Sequence, residues 1–355
     1  MWKRFVAMLA VTALLVGSVA FYETKNGRCN DGLFYDVTDI RPDAQLIRVN
    51  GEKVSAEEYF YWLDSVCQSL YSYTGGNLDF NAQVTAEMTF GQYAKADAAN
   101  TAILYAVVRE KAEEVGVALT EEDLAALDAQ REQYVTYYGG EETYQLQLQL
   151  LGVSEEMLRS MDEVPYLANR LYQEFCTAEG KLYPGDDALK AYGEEKGVVT
   201  AQLLYFPTAG LDEKGLADMK AKAEDYAAQL HAAQDKLALY ETMAAQLGLS
   251  FSADGLTFGA QDADPGVYLE TAALAVGEVS GVIEGSSGYY VAVRIDTNYA
   301  ALTEDIFNNY LQDWQDSAKV VYHSKLYDRI DAGAFYAGIA KARMALMESL
   351  LNQAG

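Results

Sequence analysis

The chain of 355 residues holds three cysteines, Cys29, Cys67 and Cys176, and two histidines, His231 and His323. Three cysteines without a CxxC do not make a disulfide framework or a structural zinc site. A Cys67–Cys176 bridge stays open in an oxidising compartment. With two histidines a Ser-His-Asp triad has little to draw on. A Walker loop, the dinucleotide-binding glycine set, G-x-S-x-G and S-x-x-K are missing. No metal and no cofactor is expected. Positive charge is also scarce: 26 Lys and Arg face 53 Asp and Glu, a formal charge of −27. This argues against a nucleic-acid partner, which wants clustered Lys and Arg. It argues equally against adhesion to an anionic membrane through charge. The acidic surplus serves either solubility or capture of basic segments.

What is present is ordinary globular composition, with half the residues hydrophobic and 22% charged. The length suffices for two or three domains. Lys3 and Arg4 precede an apolar stretch from Phe5 to Gly17, then Ser18-Val19-Ala20. This reads as a secretory signal over 1–20, cleaved after Ala20. The alternative is an uncleaved membrane anchor over 5–21, near the lower limit for spanning. Both put the rest of the chain outside the cytoplasm, secreted or membrane-anchored. Residues 21–45, with Gly27, Gly32, Pro42 and no period, read as a linker.

Leu46 to Val54 alternates on both sides of Asn50-Gly51, which predicts a hairpin with a tight turn. Ser55 and Glu58 have capping-box spacing for a helix carrying Tyr59, Phe60, Leu63 and Val66, ended by Gly75-Gly76. Further helices are expected over 83–116, from Thr120 to Tyr138, from Glu141 to Leu151, from Ser154 to Thr177 and from Asp187 to Lys196. Texture changes at Gly197. A β-rich run, 198–206, is followed by helical patterns at 212–232 and 236–247. Short apolar stretches follow at 256–259, 279–283 and 289–295. After Asn298 the pattern is helical throughout, at 303–331 and 334–353. The fold class is therefore α+β.

Two segments resemble known families. Val49-Asn50-Gly51-Glu52-Lys53-Val54-Ser55 with Glu57, Glu58, Tyr59 and Phe60 resembles the opening of SurA/PrsA-type chaperone domains. Gly277-Glu278-Val279-Ser280-Gly281-Val282-Ile283, through Gly288-Tyr289-Tyr290-Val291, resembles the closing strands of a parvulin (PpiC-type) peptidyl-prolyl isomerase. Thr200-Ala201-Gln202-Leu203-Leu204-Tyr205 falls where that family's first strand stands. The resemblance implies a mostly helical SurA-like body built from N- and C-terminal segments, residues 46–196 and 300–355. It implies an inserted parvulin-like domain, residues 197–299, with a four-stranded antiparallel sheet plus helices. The implied partners are unfolded or proline-containing exported polypeptides.

The departures bear on activity. The family's two histidine positions hold Leu203 and Tyr290, its proline Val282 and its threonine Gly285. Asp254 is a weak candidate for the polar residue facing the histidine pair. Ala263 and Val267 fall near the family's pocket Met and Phe. The implied lining is Leu203, Phe258, Ala263, Val267, Leu274 and Tyr290. Prolyl isomerisation needs no nucleophile, only tighter binding of the twisted amide than of the planar one. With the imidazoles replaced, activity is expected to be weak or absent. A holdase or foldase is the leading reading. An active isomerase using Tyr290 and Asp254 is one alternative, and a cell-surface assembly scaffold another. The 27 tyrosines suit either helix packing or a surface for unfolded segments. Tyr59, Tyr61, Tyr71, Tyr134, Tyr137 and Tyr138 are the candidate cradle. His231 and His323 are expected on helices outside the pocket strands.

Overall fold

The structure, a computed structural model, describes residues 32–354. The expected signal or anchor, and Cys29, lie outside the described residues. The fold is α+β, and the chain divides into two compact units. Met1–Gln173 with Asn309–Gly355 form the first, and Glu174–Asn308 the second.

The first unit opens with a helix, α1 (Leu33–Thr38), where a linker was expected. Its Phe34 is 1% exposed and packs between Phe60 and Phe335, with centroids at 5.7 and 5.9 Å. A Cβ on Gly152 would lie 2.8 Å from the Phe34 ring, so this glycine makes room for it. Two strands follow, β1 (Gln45–Val49) and β2 (Glu52–Ser55), joined by Asn50-Gly51. Both turn residues have positive φ, 52° and 109°, the geometry whose twist matches paired strands.

Ser55 caps α2 (Ala56–Tyr73) by accepting from the Glu58 amide. The expected capping box is half made, because the Glu58 carboxylate instead meets Arg109 Nη1 at 3.0 Å. Helix α3 (Phe90–Val115) starts later than its apolar pattern, at a full capping box of Thr89 and Gln92. Next are α4 (Glu121–Tyr137), capped reciprocally by Thr120 and Asp123, α5 (Glu141–Leu151) and α6 (Glu155–Cys176).

In the second unit the order is α7 (Asp186–Lys196), β3 (Val199–Pro207), α8 (Glu213–Ala232), α9 (Lys236–Gln246) and β4 (Leu256–Phe258). Then come α10 (Pro265–Ala273), β5 (Ile283–Gly285) and β6 (Gly288–Ile295). The sheet order is β4-β3-β6-β5, antiparallel throughout. Side chains alternate across this sheet. Leu204, Phe206, Tyr289, Val291 and Val293 pack with Ala223, Ala227 and Leu230 of α8 and with Tyr240, Met243 and Ala244 of α9.

The chain returns to the first unit through α11 (Thr303–Ser317). The helix expected over 303–331 is interrupted by a strand, β7 (Val320–Tyr322), which pairs antiparallel with β1. The sheet is thus β2-β1-β7. Strand pairing overrides helix period here, because β1 offers an open ladder beside the segment. After the short α12 (Ser324–Tyr327), α13 (Ala332–Ala354) closes the chain.

Candidate functional site: one face of the four-stranded sheet

The face of the second unit's sheet opposite α8 and α9 carries Ala201, Leu203 and Tyr205 from β3 and Tyr290 and Ala292 from β6, by alternation. Helix α10 packs against it. Val267, Ile283 and Ala292 are buried together, with Leu203, Leu274 and Tyr290 packed around them, partly exposed. Leu203 also belongs to a second group with Val199, Ala201, Phe258, Ala263 and Tyr268. The six expected lining residues thus lie in two groups joined through Leu203. The centre, Ile283 and Ala292, was not singled out from sequence. Period-2 alternation from Leu203 and Tyr290 points to Ala292 and Tyr205.

Leu203 and Tyr290 share the face without standing opposite. Leu203 pairs with Ala292, and Tyr290 with Tyr205. The two tyrosine rings lie 5.0 Å apart. Tyr205 Oη donates to the Ser287 carbonyl at 3.0 Å, and Tyr290 Oη shares a 3.0 Å hydrogen bond with Ser287 Oγ. Glycines make room for these rings. A Cβ on Gly285 would come 2.7 Å from Tyr290 Cε2, and one on Gly288 2.8 Å from Tyr205 Cε2. Gly285 and Tyr290 are therefore coupled through the volume they share. The tyrosine ring fills the volume that a side chain at 285 would need.

The carboxylate near this end is Asp264, ten residues beyond the sequence candidate. Asp254 is exposed, in the turn before β4. Asp264 caps α10 through the Gly266 amide at 3.0 Å and accepts from the Ser286 amide at 2.8 Å. The Ser286 hydrogen bonds come first among the causes holding its carboxyl below the ordinary range. An Asp before Pro265 at a helix start was the available signal. Buried Ser280 donates to the Gly281 carbonyl at 2.6 Å and accepts from the Ala292 amide at 2.8 Å. Its hydroxyl therefore satisfies a β6 amide that β5 does not reach. Thr271 Oγ1 of α10 is buried without a hydrogen-bond partner among the described residues.

No imidazole reaches this face. His231 lies exposed in the last turn of α8. His323 is exposed in the first unit, where its amide donates to Leu46 O at 2.9 Å. It caps α12 rather than sitting within a helix. The face can hold an apolar group beside two phenols.

In the first unit the tyrosines separate. Tyr59, expected in a surface cradle, is completely buried against Phe60 and Tyr327. Tyr71 and Tyr137 are exposed, while Tyr61, Tyr134 and Tyr138 are partly buried. Burial, then the nearby charge of Asp162, pushes the Tyr61 hydroxyl up to about 12. Burial also raises the Asp162 carboxyl to about 6, against the pull of Arg159. Gln130 Nε2 donates to Asp162 at 3.2 Å. Cys67 is a free, buried thiol, and burial raises its pKa.

No family model matches the chain, and no curated protein does. Among solved structures it is similar to the foldase protein PrsA of Streptococcus pneumoniae, at 17% identity. That match covers 85% of this chain and 93% of that one, with TM-score 0.27. PrsA of Bacillus subtilis matches at 15% identity over 76% and 93%, TM-score 0.26. A SurA-like chaperone of Campylobacter jejuni matches at 13% over 79% and 98%, TM-score 0.23.

Proposed function

We propose that the chain is an exported folding factor that shelters unfolded polypeptides without ATP, its second unit a parvulin-like module with little or no isomerase activity. The supporting observation is that one antiparallel sheet, ordered β4-β3-β6-β5, brings Leu203, Val267, Leu274 and Tyr290 to a single face. The segments of β3 and β6, far apart in sequence, thus share one surface, with no imidazole between them. The partners of this reading are unfolded or proline-containing chains, held by apolar contact.

The test is aggregation of a denatured client diluted into the full chain, beside a protease-coupled prolyl-isomerisation assay. The expected result is slowed aggregation with turnover near the uncatalysed rate of tens of seconds. Normal aggregation in the presence of the chain overturns the reading. A second reading, an active isomerase, is favoured by the Tyr205–Ser287–Tyr290 hydroxyl cluster. It requires fast turnover that Tyr290→Phe reduces.

A further inference from the structure

The three-stranded sheet of the first unit has two edges of different character. The β2 edge is charged, with Glu52 and Lys53 exposed, as edges that resist pairing are. The β7 edge is apolar: Val321 is 48% exposed and Tyr322 41%. β7 is the outer strand of the order β2-β1-β7. Its ladder to β1 runs through Asn50 N–H to Lys319 O at 3.0 Å and His323 N–H to Leu46 O at 2.9 Å. With Arg48 opposite Val321, the inward-pointing groups belong to 319, 321 and 323. The amides and carbonyls of Val320 and Tyr322 therefore point to the free side. A cleft of about 290 Å³ adjoins them, lined by Asn100, Ile103, Gln312, Gln315, Val320 and Tyr322 among others. Gln312 Nε2 and Gln315 Nε2 already donate to Asp316 and to the Asn100 carbonyl, both at 2.9 Å, so what the edge offers is its open strand donors and acceptors, which an extended main chain can pair with whatever its sequence.

We propose that the β7 edge takes an extended, basic segment of an unfolded polypeptide as an added strand. This deepens the folding-factor reading and rests on it. Charge selects the occupant. Asp316 lines the cleft and the chain carries −27. A second copy would bring −27 against −27, whereas a Lys-bearing strand meets its complement.

The test uses the full chain and a short fluorescein-labelled peptide of alternating Lys and Thr, read by anisotropy. A second probe carries N-methyl groups on alternate backbone amides, which removes strand pairing and leaves the side chains unchanged. The expected result is binding of the first probe and at least about tenfold weaker binding of the second. Val320→Pro removes an outward amide without touching the β1 ladder, and should reproduce that loss; Val320→Thr should not. No binding of the first probe, or equal binding of the two, overturns the proposal. So does self-association of the wild type that Val320→Pro abolishes. If Val320→Pro does not fold, the two probes on the wild type decide. Slowed client aggregation with equal probe binding sinks the strand edge and leaves the folding-factor reading standing. Discrimination between probes without slowed aggregation does the reverse.

Discussion

The two units solve the problem of polar burial differently. Among the described residues, the buried charged side chains Glu58, Asp64 and Asp123 all lie in the first unit. Each meets an arginine: Arg109 at 3.0 Å, Arg343 at 2.6 Å and Arg170 at 2.8 Å. These pairs join α2 to α3, α2 to α13, and α4 to α6. The buried polar groups of the second unit are the neutral Thr200, Gln202, Thr271, Ser280 and Thr303. Its ion pair Lys190–Glu194 spans 3.9 Å in solvent. A bundle of helices from distant segments gains register from charge pairs, whereas a sheet fixes its register by backbone pairing. The first unit should therefore feel pH and partner loss, and the second chiefly lost volume.

The largest expected effect is Phe206→Ala, which empties a fully buried site between sheet and helices in the second unit. It should cost about 3–5 kcal/mol, seen in urea or thermal unfolding of that unit, with the first unit's transition unmoved. Arg343→Met strands the Asp64 carboxylate and should cost about 3–5 kcal/mol in the first unit. Adding Asp64→Leu should return most of that loss. If the double variant stays as weak as the single, the pair is not what matters there.

A pH titration sharpens the contrast. Asp162 titrates near 6 in the folded chain against an ordinary 3.8, because burial disfavours its charge. Between these values the folded state binds more protons, so the first unit loses up to about 3 kcal/mol as pH rises from about 4 to 6. Asp162→Asn should flatten that slope. Gly285→Ala in the second unit should cost about 1–3 kcal/mol by overpacking against Tyr290, and much less in a Tyr290→Ala background. Additive costs would refute the coupling of the two positions. The smallest effect is Asp264→Asn. Its carboxyl lies below the ordinary value, so its contribution is present above pH 3.8 and is lost as pH falls through the folded value. A second unit whose acid midpoint ignores this change would show that the Ser286 and Gly266 bonds carry little.

Much of this was legible locally. Asn50-Gly51 marked its turn, Thr120 with Asp123 its cap, and the glycine pairs their helix ends, because these depend on neighbours a few residues away. The β3 and β6 runs were legible from alternation. The misreadings came from distant partners. Phe34 in a stretch without period becomes a helix because Phe60, Phe335 and Gly152 form a socket for its ring. Val320–Tyr322 becomes a strand because β1 offers an edge. Glu58 leaves its capping box because Arg109, from a distant helix, takes its carboxylate. Asp254 drew attention as an acid in a loop, but Asp264 is the one that meets the β5–β6 turn at Ser286, since α10 folds back over the sheet.

By itself the sequence determined the α+β composition, the turns and caps, the acidic surplus and the scarcity of histidine, since each is a property of residue type and short spacing. Only the tertiary structure decided which side chains share the face around Leu203 and Tyr290, that Gly285 yields its volume to Tyr290, and that β7 leaves an open edge. Those facts depend on segments tens to hundreds of residues apart meeting in space, which no local pattern encodes.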